Sequence, residues 1–300
     1  MRPVAAILLP LNARWNALPG QLRGAILITL SGVFGTVMSV VIKLLGSRIP
    51  TAEVAFIRSV FAFMWIAPFV FAAGLAVLRT AYPWWHVIRG VAGSLSLLGS
   101  YYALIHLPIA DATAYGFTRA LFLVVLAALL LGEPFRTSRI VATVLGFGGT
   151  LIMLRPHGGI EFAALIALGA ALSTAFSVTS IKKLMRTEAP VTVIFYFSLT
   201  SMVFTAIPAI PVWVMPHGDE ILLLVVAGAL GTANQALIVR AYRSADATVI
   251  APFEYLQLLW AAGLGFLIFS DVPGIYTWLG AAVIVAANLM LTYWERRRKV

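Results

Sequence analysis

Long apolar segments are the feature that most limits how this chain can fold. Ten stretches of mostly apolar residues follow one another along the 300 residues, separated by short segments rich in Pro, Gly and charge. A run of about 20 apolar residues can cross the ~30 Å hydrocarbon core of a bilayer as one helix. Only 11% of the residues are charged, against about 25% in an average soluble chain. The sequence therefore predicts an all-α integral membrane protein.

The predicted transmembrane helices begin and end at proline, glycine and charged residues. We expect ten of them, at residues 23–45, 51–74, 84–105, 110–131, 138–154, 161–184, 190–213, 220–241, 246–269 and 275–294. The segments between them are too short for a separate soluble domain. Because the chain has no cysteine, disulfides, thiolate metal sites and cysteine nucleophiles are excluded.

The distribution of Lys and Arg predicts that both termini are cytoplasmic. With that orientation most basic residues between the helices fall on the cytoplasmic side, and only Lys43, Arg48 and Arg155 fall outside. The net charge of +10 is then explained by topology and by attraction to anionic lipid heads. Because the basic residues lie between spans and not on one face, we expect the lipid bilayer, and no nucleic acid, as a partner.

Ordered sequence matches indicate that one pattern occurs twice. The segment ADAT at 110–113 recurs at 245–248. Three further pairs keep the same order along the chain: SVVIKLLGSRIP with SVTSIKKLMRTEAP, Pro68 with Pro208, and GEP with SDVP. A single tetrapeptide would carry little weight, but the ordered series predicts an internal duplication.

The duplication divides the chain into four parts. An interfacial N-terminal segment at 1–22 precedes five-helix repeats at 23–155 and 156–294, and a basic cytoplasmic tail covers 295–300. Because five is odd, the second repeat would enter the membrane from the opposite side. The sequence thus predicts two inverted five-helix repeats, an architecture typical of transporters with a substrate site near the membrane midplane.

Two opposite charges occupy matching positions in the repeats. Arg119 and Glu254 each follow a predicted helix-capping aspartate, Asp111 or Asp246, by eight residues. That places both about 12 Å deep, close to the middle of the bilayer and reached from opposite faces. In one interpretation Arg119 binds a substrate carboxylate and Glu254 binds an ammonium or sulfonium group. In another the two form an ion pair that locks the repeats together, and a gate that breaks and re-forms the pair would satisfy both.

Other polar residues within the predicted helices are candidates for lining the same cavity. Arg58 lies about seven residues into the second helix, where it can face the cavity or extend to the interface. Asn234 and Gln235 form an adjacent amide pair in the eighth helix. These amides can line the substrate path or form hydrogen bonds between helices.

Aromatic and polar residues at helical spacing extend the candidate lining. Tyr115 shares a predicted helix face with Arg119, and Gln257 shares one with Glu254. Aromatic residues of this lining would bind a ring-bearing or cationic solute through stacking and cation–π contacts. Two further members of this group are Tyr102 and Trp260.

Three prolines are candidate bending points. Pro68 and Pro208 lie near the ends of equivalent helices in the two repeats, and Pro252 lies two residues before Glu254. Proline removes a backbone hydrogen bond and can kink a helix. The prolines can therefore act as hinges in alternating access, although membrane helices also tolerate proline without such a role.

The chain resembles the EamA-type ten-helix carriers of the drug/metabolite transporter superfamily. The resemblance covers nearly the whole chain and is carried by ALIHLPIADATAYGFTRALFLVVLAALLLGEP, AYRSADATVIAPFEYLQLLWAAGLGFLIFSDVP and YTWLGAAVIVAANLMLTYWERR. Within the superfamily, APFEYLQLLW and AYRSA are most similar to a branch that includes S-adenosylmethionine uptake carriers, with amino-acid exporters as neighbours. The resemblance implies a bacterial inner-membrane carrier for small organic solutes, whose fifth and tenth helices can support a homodimer.

These observations predict a secondary transporter that works by alternating access. Glu254 is a candidate for proton coupling, while exchange against a counter-substrate and facilitated transport stay open. We expect no enzyme activity, metal or cofactor: the four histidines lack metal-ligand spacing, and no phosphate-binding loop occurs. The alternatives are a membrane acyltransferase, based on the H-x4-D pattern of His106 and Asp111, and a passive channel.

Overall fold

The computed structural model describes residue 15 and residues 18–131, 137–154, 161–185, 187–245 and 253–297. Within these ranges the chain is helical and contains no strand. The described residues form eleven α-helices and two short 3₁₀ helices, Leu75–Leu78 and Ile210–Val212. The predicted all-α class is therefore confirmed.

The first half of the chain contributes six of these helices. They are α1 (Gly20–Leu45), α2 (Thr51–Ala73), α3 (Pro83–His106), α4 (Ile109–Gly116), α5 (Arg119–Leu131) and α6 (Thr137–Leu154). The second half contributes the other five. They are α7 (Phe162–Leu184), α8 (Pro190–Ala209), α9 (Gly218–Ser244), α10 (Leu256–Phe269) and α11 (Ile275–Arg297).

Proline marks the start of several helices, as the sequence predicted. Pro50 and Pro108 precede α2 and α4, while Pro83 and Pro190 are the first residues of α3 and α8. The first N–H groups of a helix have no acceptor within it, so proline there loses no hydrogen bond and already has a helical φ. The predicted and observed boundaries of these helices agree for this reason.

Among the described residues, six helical segments are long and apolar enough to cross a membrane. They are Gly20–Leu45, Thr51–Ala73, Ile109–Leu126, Phe162–Ile181, Pro190–Val212 and Gly218–Ile238. Three shorter apolar helices accompany them, at Ile140–Leu154, Leu256–Phe269 and Ile275–Met290. A multi-spanning helical membrane fold is confirmed, whereas ten crossings remain a prediction.

The fourth predicted helix is not continuous. It is interrupted at Phe117 and Thr118, between α4 and α5. The Thr118 hydroxyl donates to the Tyr115 carbonyl at 2.6 Å and the Thr118 N–H donates to the same oxygen at 3.1 Å, so the turn is tighter than an α-helix. The N-cap role predicted for Asp111 is wrong, because Pro108 occupies the cap position and Asp111 lies in the first turn of α4. Asp246, its predicted counterpart, lies outside the described residues.

The helices of the two halves pack mainly against each other. The most extensive pairings are α1 with α9, α3 with α7, α2 with α8 and α6 with α11. The pairings α1–α9 and α7–α3 each join the first helical segment of one half to the third of the other. The remaining two join second with second and fifth with fifth. Exchanging the halves leaves this pattern unchanged, as a two-fold repeat would require.

Large apolar side chains cover much of the outer surface. Phe69, Phe71, Ile207 and Leu267 are each more than 60% exposed, while residues such as Ile42 and Ile284 are fully buried. An apolar exterior of this extent would aggregate in water, but it matches the hydrocarbon of a bilayer. Polar side chains that face the interior of the bundle are therefore the candidates for a functional site.

Candidate functional site

An ion pair between the two halves lies at the centre of the candidate site. The Nη2 atom of Arg119 is 2.8 Å from the Oε2 atom of Glu254. The two side chains are 37% and 19% exposed, so the pair is partly open and not sealed in the core. The structure thus brings together the two charges that the repeat pattern placed at equal depth.

Helix interruptions position this pair. Arg119 is the first residue of α5, directly after the break at Phe117 and Thr118. Glu254 precedes Tyr255, a turn residue just before α10. The rings of Phe117 and Tyr255 meet edge to face, with centroids 5.1 Å apart, so the two interruptions adjoin. Broken helices leave backbone N–H and C=O groups without helical partners, and transporters use such groups to line binding sites.

A cavity of about 150 Å³ lies beside Arg119. Helices α1, α3, α4, α7 and α10 form its walls together with the break before α5. Its polar lining consists of Ser39, Ser100, Thr113, Thr174, Gln257 and Arg119, and small residues such as Ala167 and Gly116 complete the wall. Drug-sized ligands occupy pockets of about 300–1,000 Å³, so this conformation encloses a small solute or part of a larger one.

The hydroxyl groups that line the cavity present mainly hydrogen-bond acceptors to a ligand. Ser39 and Thr113 donate their hydroxyl protons to the carbonyls of Gly35 and Ile109, at 3.0 and 2.7 Å. Thr174 donates to its own helix and also pairs with Ser96 at 2.6 Å. Each hydroxyl oxygen keeps acceptor capacity after donating its proton. The wall therefore favours a ligand that carries N–H or O–H donors.

Two side-chain amides meet at Gly35 of α1. A Cβ atom there would lie 3.1 Å from Nδ2 of Asn234 and 3.3 Å from Nε2 of Gln257, so glycine allows both amides to approach the helix. Gln257 lines the cavity, whereas Asn234 extends the polar surface toward α9. Gln235, the next residue, lines a separate small pocket with Arg58 between α2, α8 and α9.

The structure does not bring three other predicted residues to the cavity. Tyr115 is 5% exposed and packs in an apolar cluster with residues such as Leu258. Tyr102 stacks on His106 with ring centroids 4.0 Å apart. Trp260 is 43% exposed on the outer surface of α10. Helical spacing placed these rings near the charges but could not distinguish a cavity-facing side from a core or lipid-facing one.

The two predicted hinge prolines that the structure describes lie within helices. Pro68 is inside α2, and Pro208 is inside α8 just before that helix gives way to the 3₁₀ turn Ile210–Val212. Pro252 lies outside the described residues. A proline near a helix end leaves one carbonyl without its usual donor, which allows bending there.

Ion pairs near the predicted outer side connect the halves and were not predicted. Lys43 of α1 donates to Oδ2 of Asp271 at 2.6 Å and to the Leu107 carbonyl at 3.0 Å. Arg48 pairs with Glu220 at the start of α9, and this hydrogen bond raises the pKa of Arg48 above its usual value. The sequence signal was present, because the predicted helix bounds and orientation also put Glu220 and Asp271 at the outer side, with Lys43 and Arg48.

A buried polar cluster links the halves at the predicted inner side. Nε2 of His86 lies 2.6 Å from Oε2 of Glu188, and both side chains are less than 5% exposed. Thr80 donates to the same carboxylate. Arg89 donates to the Val193 carbonyl at 2.7 Å. The structure thus holds polar connections between the halves at both ends of the bundle.

Taken together, the apolar exterior, the broken helices and the inward polar cavity define a helical membrane transporter. The model of the EamA-like transporter family matches twice, at residues 22–155 and 161–293. The chain belongs to the EamA-like transporter family, within the drug/metabolite transporter superfamily. It is a transporter and not an enzyme, as its relatives' names also state.

Similar proteins are named for different solutes. The chain is 33% identical over 288 residues to the S-adenosylmethionine uptake transporter of Rickettsia felis (94% of this chain, 96% of that protein). It is 34% identical over 280 residues to the riboflavin transporter of Rhizobium johnstonii (92% and 93%). It is 28% identical over 277 residues to the pseudopaline exporter CntI of Pseudomonas aeruginosa (90% and 95%). A solved crystal structure shares the fold, with a TM-score of 0.61 at 21% identity over 91% of this chain and 99% of that one.

Proposed function

We propose that the chain is a secondary transporter that moves a small zwitterionic or charged metabolite across the bacterial inner membrane by alternating access. The observation that carries this proposal is the Arg119–Glu254 ion pair, which joins the two halves beside a polar cavity. A pair that is 37% and 19% exposed can be opened by a ligand without burying an unpaired charge. Because the ligand opens the ion pair that joins the two halves, ligand binding would be coupled to their relative movement.

The ligand would exchange its own charges for those of the pair. Arg119 would hold a carboxylate, and Glu254 would hold an ammonium or sulfonium group, each through charge-assisted hydrogen bonds. Gln257 and the acceptor hydroxyls of the cavity would hold the donor groups around the cationic end. An amino acid or an S-adenosylmethionine-like solute has both charges, and the name of the Rickettsia felis relative supports this class.

We further propose that the two halves are inverted repeats that rock against each other. The double family match and the exchange-symmetric helix pairings support this arrangement. Both termini would be cytoplasmic. The pairing of α6 with α11 at the periphery would leave their outer faces for lipid or for a second copy in a homodimer. A proton or a counter-substrate would supply the driving force.

A transport assay tests the proposal and separates it from a passive channel. Purified protein in proteoliposomes is loaded with an unlabelled amino acid or S-adenosylmethionine, and uptake of the labelled solute is measured. Uptake by a carrier saturates with solute concentration. Internal solute stimulates that uptake, because the loaded carrier reorients faster than the empty one. A linear, unsaturable flux would contradict alternating access.

Variants of the pair connect transport to the site. Arg119→Gln and Glu254→Gln should each reduce uptake strongly, whereas Arg79→Gln, which changes an exposed arginine in the loop after α2, should leave it unchanged. Full activity in both pair variants would remove these residues from the mechanism.

A further inference from the structure

Arg58 is a buried cation without a protein counter-ion among the described residues. Arg58 is the eighth residue of α2 and is only 5% exposed. Its Nε atom is buried with no hydrogen-bond partner. None of the ion pairs between described residues includes Arg58. A buried charge left unpaired destabilises a protein strongly, so its retention in a membrane helix points to a missing partner.

The nearest acid along the sequence does not fill this role. Glu53 lies five residues earlier on the same helix, and residues five apart do not face each other. Oε2 of Glu53 instead accepts a hydrogen bond from the Val214 N–H at 2.8 Å. The geometry of α2 therefore separates the two charges.

The surroundings of Arg58 form a small pocket of about 20 Å³ between α2, α8 and α9. Ser198, Ser201, Thr232 and Gln235 supply its polar lining. The Ser201 hydroxyl oxygen is itself buried without a hydrogen-bond partner. A water molecule needs about 10–15 Å³ by this kind of measure, so the pocket has room for one small group.

Gly231 leaves the space that the Arg58 guanidinium group occupies in this pocket. A Cβ atom at that position would lie 2.0 Å from Nη2 of Arg58 and 2.8 Å from its Cζ. Glycine is therefore required for the guanidinium to lie where it does. The Arg89 guanidinium provides a contrast: its residue is 3% exposed, but it donates to the Val193 carbonyl and stacks on the Phe197 ring at 4.3 Å.

We propose that Arg58, with Ser201 and Gln235, forms a second binding site that takes one small anionic group, the size of a chloride ion or a single carboxylate. The group is either a free ion or the anionic end of a transported solute. That the group belongs to a transported solute rests on the proposed transport function, whereas the existence of the anion site does not. Asn234, next to Gln235 in the sequence, approaches Gly35 of α1, as does Gln257 of the Arg119 cavity.

Thermal unfolding of the purified protein in detergent tests this site without transport. Intrinsic tryptophan fluorescence reports unfolding, since the chain has eight tryptophans. Chloride, formate or acetate is titrated at constant ionic strength against a bulky sulfonate that the pocket cannot admit. The wild type should gain about 2 °C in Tm at roughly ten times Kd. Stabilisation by chloride alone identifies a free ion, and stabilisation by formate and acetate alone identifies a carboxylate. A wild type that responds to none of the three anions overturns the proposal.

Three variants make the result specific. Arg58→Gln should lose the anion response and, in the sulfonate buffer, unfold at a higher temperature than the wild type, because an unpaired charge is removed. Arg89→Gln is the matched control and should unfold at a lower temperature, because it loses real partners. Gly231→Ala keeps the charge but displaces the guanidinium, and its anion response should fall at least several-fold.

The variants show whether an anion binds at Arg58. An unchanged anion response in Arg58→Gln overturns the proposal, as does a lower Tm for that variant than for the wild type in the sulfonate buffer. Anion binding that survives in a variant without transport, such as Glu254→Gln, supports this site even if the proposed function fails.

Discussion

Neutralising the Arg119–Glu254 pair one residue at a time and then together separates a structural lock from a substrate site. Breaking a fully buried pair costs about 3–5 kcal/mol, and an exposed pair contributes about 0–1 kcal/mol. With side chains 37% and 19% exposed and atoms 2.8 Å apart, we expect each single Gln variant to lose about 1–2 kcal/mol of unfolding free energy. The double variant should recover most of that loss, because no charge is left unpaired.

Transport should respond differently from stability. A hydrogen bond between a charged side chain and a charged ligand group contributes about 1.5–3 kcal/mol, so kcat/KM should fall about 10- to 150-fold in each single variant. The double variant should remain at least as impaired, because it has lost both contacts with the substrate. Thermal unfolding and proteoliposome uptake on the same four preparations measure the two effects. If the double variant recovers transport together with stability, the pair is only a lock and the proposed substrate site is wrong.

Three further variants test the cavity amide Gln257, the hinge residue Pro208 and the outer ion pair of Lys43. Gln257→Ala should raise KM about 3- to 10-fold with little change in kcat, since it removes one neutral hydrogen bond in the cavity; uptake kinetics measure this. Pro208→Ala should slow turnover while leaving the Kd for solute unchanged, because it restores a backbone donor and stiffens α8; equilibrium binding and uptake together show the difference. Lys43→Gln breaks the 2.6 Å pair with Asp271 and should open the outer side, so that Ser39→Cys in the cavity reacts faster with an impermeant maleimide added outside.

Controls and opposite results are defined for each of these variants. The chain lacks cysteine, so labelling reports the introduced residue alone. Equal labelling of Ser39→Cys with and without Lys43→Gln would show that the outer pair does not control access. A Pro208→Ala variant with unchanged turnover would remove that proline from the hinges, and an unchanged KM in Gln257→Ala would remove the amide from the substrate site.

Much of the fold could be predicted because the membrane restricts it so strongly. Apolar runs bounded by proline fixed the start of helices such as α2 and α8 to within a residue. The repeat pattern also predicted that Arg119 and Glu254 could meet, because matching positions in two symmetric halves lie at matching depths. Their contact at 2.8 Å is consistent with that argument.

The helix break and the side-chain directions were harder to predict. An apolar segment can hide an interruption: α4 ends at Gly116, and the Thr118 hydroxyl donates to the Tyr115 carbonyl in the turn that follows. In a membrane both the core and the lipid are apolar, so periodicity does not give direction. For this reason Trp260 faces outward and Tyr115 packs in the core. The unpaired state of Arg58 also depends on tertiary packing that the sequence does not encode locally.

A structure of the protein with a transported solute bound would show directly whether Arg119 and Glu254 hold the substrate. We predict solute density beside Gln257, with the carboxylate at Arg119 and the cationic group at Glu254, and the two side chains moved apart from their present 2.8 Å contact. Solute bound elsewhere, with the Arg119–Glu254 pair intact, would contradict the account.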